Sequence, residues 1–202
     1  MLGADALAAR ISNERIGDGR YHPLTNVIGL WMLEGTMKDF ATRPTNDREW
    51  AALIAAAEKL PAPAALIDMT FAEFANPSSM KGAIDAQLRK RKIPAPKNLA
   101  GYVRLICESL GKGHADAMRA FEKMAGKKFR RILIVGGGSK NRLLCQATAN
   151  AAGLPVISFA LEGTAVGNLA SQLIALGAVK NLAAFREHLG ANLPQKVYAP
   201  HS

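Results

Sequence analysis

The chain is short of cysteine, of aromatic residues and of acid. Its 202 residues include only two cysteines, Cys107 and Cys145. They stand far apart in apolar surroundings, which suits buried reduced thiols rather than a disulfide framework or a metal site. Aromatic residues make up 6% of the chain and few lie among its basic residues, which argues against a platform for stacking bases. No uninterrupted apolar run reaches about 18 residues, so no membrane-spanning helix is expected and a membrane is not an expected partner. The N-terminus, "MLGADALAARISNER", lacks both a basic leader region and a long apolar stretch, and a cytoplasmic protein is expected.

The scarcity of acid leaves 26 Lys and Arg against 16 Asp and Glu, a formal charge of +10. Clustered cations can neutralise phosphates, so the balance raises nucleic acid as a partner. Dense cation runs occur only in "RKRK" (Arg89 to Lys92) and "GKKFRR" (Gly126 to Arg131). Each adjoins the end of a predicted helix, where cations suit the negative end of the helix dipole. They read as solvated helix ends, and no nucleic acid is expected.

With 49% hydrophobic residues, the chain can bury one fair core or two small ones. Two alternating runs, "LAARISNE" and "GRYHPLTN", flank an Asp-Gly turn signal at Asp18 and Gly19 and predict a β-hairpin. From Val27 to Phe40, the residues Ile28, Trp31, Met32 and Gly35 recur at helical spacing, with Gly35 suited to close packing. A second helix is expected from Asp47 to Leu60, capped by Thr45 or Asn46 and stopped by Pro61. A loop should follow. Ser78 or Ser79 then caps a helix through Met80, Ile84 and Leu88.

The strongest periodicity runs from Leu99 through Val103, Ile106 and Leu110 to Phe121 and Met124. Gly111 and Gly113 each cost about 1 kcal/mol of helix propensity, so a weak point or kink is expected there. His114 falls near the apolar face and reads as a packed core histidine.

The last third alternates strand and helix. "RILIV" reads as a buried strand, "KNRLLCQATANAA" as a helix, "PVISF" as a strand and "AVGNLASQLIAL" as a helix ending at Gly177. Gly153 and Pro155 stop the first of these helices, and Thr164 can cap the second. Such a run winds with its strands parallel and gathers its loops at the strand C-termini, the edge where open α/β sheets bind ligands.

At that edge stand Gly136, Gly137 and Gly138, followed by Ser139 as a possible helix cap. Glycines let backbone N–H groups approach an anion closely at a helix N-terminus. A ligand-free tight turn is the alternative. No Walker loop G-x-x-x-x-G-K-[ST] occurs anywhere in the chain. A dinucleotide fingerprint would need glycine at Asn141 and an acid where Ser158 and Phe159 stand, so an oxidoreductase domain is only a distant reading.

"IVGGGSKNRLLCQATANAAGLPV" followed by "EGTAVGNLASQLIALG" resembles the C-terminal lobe of the FGGY carbohydrate kinases, and within them the rhamnulokinases. "RISNERIGDGRYHPLTNVIGLWMLE", "FANPSSM" and "VRLICESL" extend the resemblance, which covers the chain from about Asp5 to its end. It implies a single domain over residues 1–202: a ribonuclease H-like, actin-like ATPase lobe of α/β class, with a mixed sheet flanked by helices. By resemblance the lobe's central first strand is missing, which would leave the hairpin and the glycine strand each with an unpaired edge.

The implied activity is that of an ATP-dependent kinase of a ketose like L-rhamnulose, with Mg²⁺ accompanying the ATP. Gly136, Gly137, Gly138, Ser139 and Asn141 would lie at the nucleotide, and Asn26 at the sugar. Glu34 stands where the rhamnulokinase pattern has a nucleotide-contacting glutamine, and its carboxylate would repel phosphates unless neutralised. No catalytic residue and no protein-held metal is assigned. The family's N-terminal lobe and its general-base aspartate have no counterpart here, so half the apparatus of phosphoryl transfer is absent. The expected partners are therefore ATP, the sugar, and either the absent lobe or a second copy. The alternative is a non-catalytic module that binds or self-associates.

Overall fold

One long helix organises the molecule. A computed structural model describes residues 4–16, 19–27, 29–159 and 161–201. In chain order these residues form α1 (Ala4–Ala8), β1 (Ser12–Arg15), β2 (Tyr21–Leu24), α2 (Trp31–Asp39), α3 (Asp47–Glu58) and α4 (Met80–Lys90). Then come α5 (Leu99–Ala125), β3 (Ile132–Val135), α6 (Arg142–Ala152), β4 (Val156–Phe159), α7 (Gly163–Ala175), α8 (Leu182–Asn192) and β5 (Gln195–Tyr198). Short 3₁₀ turns occupy Ala72–Phe74 and Gly137–Lys140.

The expected hairpin forms, with β1 and β2 antiparallel and Ser12 opposite Leu24. Leu7 and Ala8 do not extend its first strand. They belong to α1, and the Ile11 N–H donates to the Ala6 carbonyl at 2.8 Å to turn the chain out of that helix. Asp18 lies outside the described residues, as does Ile28.

The next helix begins at Trp31 rather than Val27, and its buried face is Met32, Leu33, Thr36 and Met37. Trp31, expected in the apolar stripe, is 43% exposed. Packing against α4 sets this face: a Cβ on Gly35 would stand 3.0 Å from the Met80 Cβ, so Gly35 does serve close approach. Helix α3 starts as expected, with Asn46 Oδ1 accepting from the Glu49 N–H and the Glu49 carboxylate accepting in return from Asn46 Nδ2.

The long segment between α3 and α4 is held by side chains instead of a ladder. Buried Gln87 accepts from the Asp68 N–H at 2.7 Å and donates to the Asp68 carbonyl, while the Ile67 N–H donates to Ser109 Oγ. Each satisfies a backbone group in a segment that has no ladder partner. The Tyr102 hydroxyl donates to Asp85, which also pairs with Lys81 at 2.7 Å, and burial pushes the Tyr102 pKa up to about 12.

Helix α5 runs unbroken over 27 residues, about 40 Å at 1.5 Å per residue. The weakness expected at Gly111 and Gly113 is not seen, and tertiary packing gives the reason. A Cβ on Gly111 would lie 2.6 Å from the carbonyl carbon of Ala147 and 2.8 Å from the Thr148 nitrogen. The α5 and α6 backbones therefore touch at Gly111, and the close approach offsets the glycine's propensity cost.

His114 is half-buried as expected, its Nδ1 standing 3.0 Å from Thr148 Oγ1, and burial lowers its pKa. Protonation therefore favours the unfolded chain. Stability is expected to be full above the ordinary histidine pKa of about 6.5 and to fall as pH drops below it. Urea titrations at pH 7.5 and 5.5 should show this loss, and His114→Gln should reduce it.

The sheet has the order β3-β4-β5, with β3 parallel to β4 and β5 antiparallel to β4. Helix α8 and strand β5 lie beyond the last element read from the sequence. One sheet face packs on α6, where Cys145, Ala149 and Val156 form a small core with Ile132, Ile134 and Tyr198. The larger core is helical and gathers Met32, Ile54, Phe74, Ile84, Tyr102 and Ile106 around α5. Strand β3, expected to be buried, leaves Leu133 54% and Val135 49% exposed. Among the described residues it stands at the end of the sheet with one face covered.

Candidate functional site

The glycines occupy the connection from β3 to α6. Gly136 has φ +74° and ψ −160°, a region open almost only to glycine, and its N–H donates to the Leu161 carbonyl at 2.8 Å. Gly137 is exposed and Gly138 half-buried at the start of the 3₁₀ turn. Only Gly136 of the three has positive φ, so the glycines do not form a run of left-handed residues.

Ser139 does not cap α6. Its hydroxyl donates to the Gly136 carbonyl at 2.7 Å and closes the turn. The cap is Asn141, whose Oδ1 accepts from the Leu144 N–H at 3.1 Å. Both Ser139 and Asn141 are buried, and the Asn141 amide donates to Cys107 Sγ at 3.5 Å. Their side chains thus hold the loop's shape from within. Thr164 likewise does not cap α7, because that helix starts one residue earlier, at Gly163, after Glu162.

Both thiols lie under this loop. Cys145 Sγ is 3.8 Å from the carbonyls of Gly138 and Ser139, and burial pushes the cysteine pKa values up to about 12 for Cys107 and about 11 for Cys145. Such thiols stay protonated and serve packing, as expected from the sequence.

The start of α2 abuts the loop, since the Leu30 side chain would lie 3.8 Å from a Cβ on Gly138. Glu34 stands one helical turn further on. It is exposed and paired with Arg43, whose Nε is 2.9 Å from Glu34 Oε2 and whose second contact is 3.3 Å. Arg43 therefore pairs with the carboxylate at the surface. On α6, Arg142 makes a bidentate pair with Glu58 of α3, with its Nη2 2.7 Å from Oε2. Lys140 lies exposed at the end of the glycine turn.

Asn26 is exposed on the link between β2 and α2, next to Val27, whose methyl would lie 3.2 Å from a Cβ on Gly113. The structure thus gathers Gly136 to Asn141 in one loop with the α2 end beside it. No described contact joins Asn26 to that loop. Sequence reasoning passed over Lys140, although "GGGSK" sets a cation directly after the glycines. The Glu34 to Arg43 pair had no readable signal, because α2 ends at Asp39 between them.

An α/β lobe with a glycine turn between strand and helix, at the C-terminal edge of a parallel strand pair, has the ribonuclease H-like fold. Residues 8–176 match the FGGY family of carbohydrate kinases, C-terminal domain, and the chain belongs to that family. It is 36% identical over 197 residues to the rhamnulokinase of Enterobacter sp. (strain 638), a match covering 98% of this chain and 39% of that protein. Its fold is similar to that of the xylulose kinase from Rhodospirillum rubrum, with a TM-score of 0.66, 17% identity, and coverage of 95% of this chain and 38% of the kinase. The chain thus spans well under half the length of these relatives. Among the described residues no helix is long and apolar enough to cross a membrane.

Proposed function

We propose that this chain is the nucleotide-binding lobe of an ATP-dependent sugar kinase acting on a ketose such as L-rhamnulose. Alone it binds Mg·ATP and transfers no phosphate. The observation that supports this is the glycine loop, set by Gly136 between β3 and the first turn of α6, whose N–H groups and positive dipole end suit a polyphosphate.

Gly136 sets the loop's direction with its own N–H spent on the Leu161 carbonyl, and Gly137 and Gly138 offer backbone to the phosphates with no Cβ in the way. Ser139 and Asn141 keep that backbone in shape, and exposed Lys140 adds a cation at the turn's end. Arg43, by pairing with Glu34, offsets part of the repulsion that a bare carboxylate would exert on the nucleotide. Mg²⁺ would arrive on the phosphates and screen their charge. Asn26 offers a donor and an acceptor to sugar hydroxyls. The general base and the rest of the sugar site belong to the other lobe, which is the expected partner. The whole protein would work in the cytoplasm.

A thermal-shift titration with Mg·ATP, Mg·NAD and neither tests this reading. Mg·ATP at about 100 times its dissociation constant should stabilise the fold by about 2.7 kcal/mol, whereas NAD should leave the melt in place. A melt indifferent to both would reduce the loop to a turn. Mixing the chain with ATP and L-rhamnulose should release no ADP, and release would overturn the claim that the lobe is inactive alone.

A further inference from the structure

We infer that the cavity at the C-terminal end of α4 is a binding site for a small phosphomonoester that carries an apolar group, held by Arg89 and Lys92. The cavity measures about 560 Å³ and is lined by Asp85, Arg89, Lys92, Ile93, Pro94 and Ala95. Small-molecule sites occupy about 300–1,000 Å³, so the space suits such a ligand. All of its lining residues lie on α4 or on the turn that follows it. None belongs to the glycine loop or to the link that carries Asn26.

The basic run "RKRK" sends its charges in two directions. Lys90 Nζ lies 5.0 Å over the Phe71 ring and 3.7 Å from Glu73, and Arg91 donates to the Leu66 carbonyl. Those two are held by the segment before α4. The side chains of Arg89 and Lys92 meet no hydrogen-bond or ion-pair partner among the described residues, and both line the cavity. Their like charges at one space call for an anion between them. Asp85 does not supply it, because its carboxylate accepts from the Tyr102 hydroxyl and pairs with Lys81 at 2.7 Å. The charge left over is that of the two cations, which suits a phosphate dianion.

Lys92 stands at this rim under backbone strain. Its φ is +57°, the left-handed region that disfavours a residue with a Cβ and that Gly126, Gly153 and Gly177 take at the ends of later helices. The Lys92 N–H donates to the Arg89 carbonyl and the Ile93 N–H to the Leu88 carbonyl, which closes the turn and brings Ile93, Pro94 and Ala95 round as an apolar wall. Glycine would make that turn with less strain. Only the lysine adds a cation to the cavity.

The test uses the intact chain without nucleotide and reads residues that the kinase reading does not involve, so the two can fail separately. Phenyl phosphate, inorganic phosphate and benzyl alcohol are titrated in turn while backbone amide shifts are followed by NMR. Phenyl phosphate should give saturable shifts at Arg89, Lys92, Ile93 and Ala95 and bind more tightly than inorganic phosphate, because the apolar wall takes the ring. Benzyl alcohol, which lacks the phosphate, should give none at the same concentrations. Arg89→Gln and Lys92→Gly should each weaken phenyl phosphate by roughly tenfold, the loss of one charge-assisted contact. Lys92→Gly should melt no more than a few degrees from the parent, since the relief of strain offsets the greater freedom of glycine in the unfolded chain, so its lost binding is not misfolding. Shifts confined to the glycine loop, equal binding of phenyl phosphate and benzyl alcohol or of phenyl phosphate and inorganic phosphate, or undiminished binding by Lys92→Gly would each overturn the proposal.

Discussion

Replacing Gly111 with alanine is expected to lower the unfolding free energy by about 2 kcal/mol and the melting temperature by roughly 4–8 °C. The new Cβ would sit 2.6 Å from the Ala147 carbonyl carbon and 2.8 Å from both the Ala147 oxygen and the Thr148 nitrogen. All three are backbone atoms in the middle of α6, so no side chain can swing aside and the helices must separate. Overpacking of this kind costs about 1–3 kcal/mol and occasionally more, and the better helix propensity of alanine returns about 1 kcal/mol.

Gly113 supplies the control. Its Cβ would meet only the Val27 methyl, at 3.2 Å, and that side chain can turn. Gly113→Ala should stay within about 1 kcal/mol of the parent. Urea denaturation of both variants reads the difference directly. Equal stability for the two would show that α5 and α6 are not in backbone contact. Because α6 begins at the glycine turn, Gly111→Ala should also weaken the response to Mg·ATP.

The second large effect is expected at Gly136. Gly136→Ala should destabilise the fold by about 1–3 kcal/mol, since φ +74° with ψ −160° is nearly closed to any residue with a Cβ. If the loop relaxes into another conformation to escape that strain, nucleotide affinity should fall at least tenfold, about 1.4 kcal/mol. Steric crowding is not the cause, because nothing lies within 4 Å of a Cβ at this position. Gly137 separates the two effects. It has no positive φ and open space around it, so Gly137→Ala should fold normally and lose affinity only if phosphate comes close to that backbone. A melt shift with Mg·ATP that survives both substitutions would remove the loop from the nucleotide site.

The elements with strong local signals were legible. Asn46 and Ser79 each cap a helix with the side-chain bond that such residues make, and the apolar stripe of α5 repeats for many turns. Gly153 and Gly177 take the positive φ expected of glycines that end helices. The β3, α6 and β4 run was readable because short apolar bursts alternate with a helical pattern. Helix α8 and strand β5 escaped notice because their faces are mostly exposed and carry little apolar periodicity.

The glycine loop was located from sequence, but its internal wiring was not. Ser139 looked like the cap since it comes first after the glycines, yet the 3₁₀ turn moves the start of α6 to Arg142 and hands the cap to Asn141. Local preference cannot choose between two competent caps a couple of residues apart. The choice depends on Cys107 beneath Asn141 and on Leu161 beyond the next strand.

By itself the sequence determined the family, the order and type of most elements, and the place of the glycine loop, because caps, periodicity and glycines act over a few neighbouring residues. Tertiary structure alone decided why Gly111 is tolerated in α5, which residue caps α6, and that Arg43 pairs with Glu34. Each of these depends on groups brought together from distant parts of the chain, where the deciding quantities are contact distance and the satisfaction of backbone polar groups.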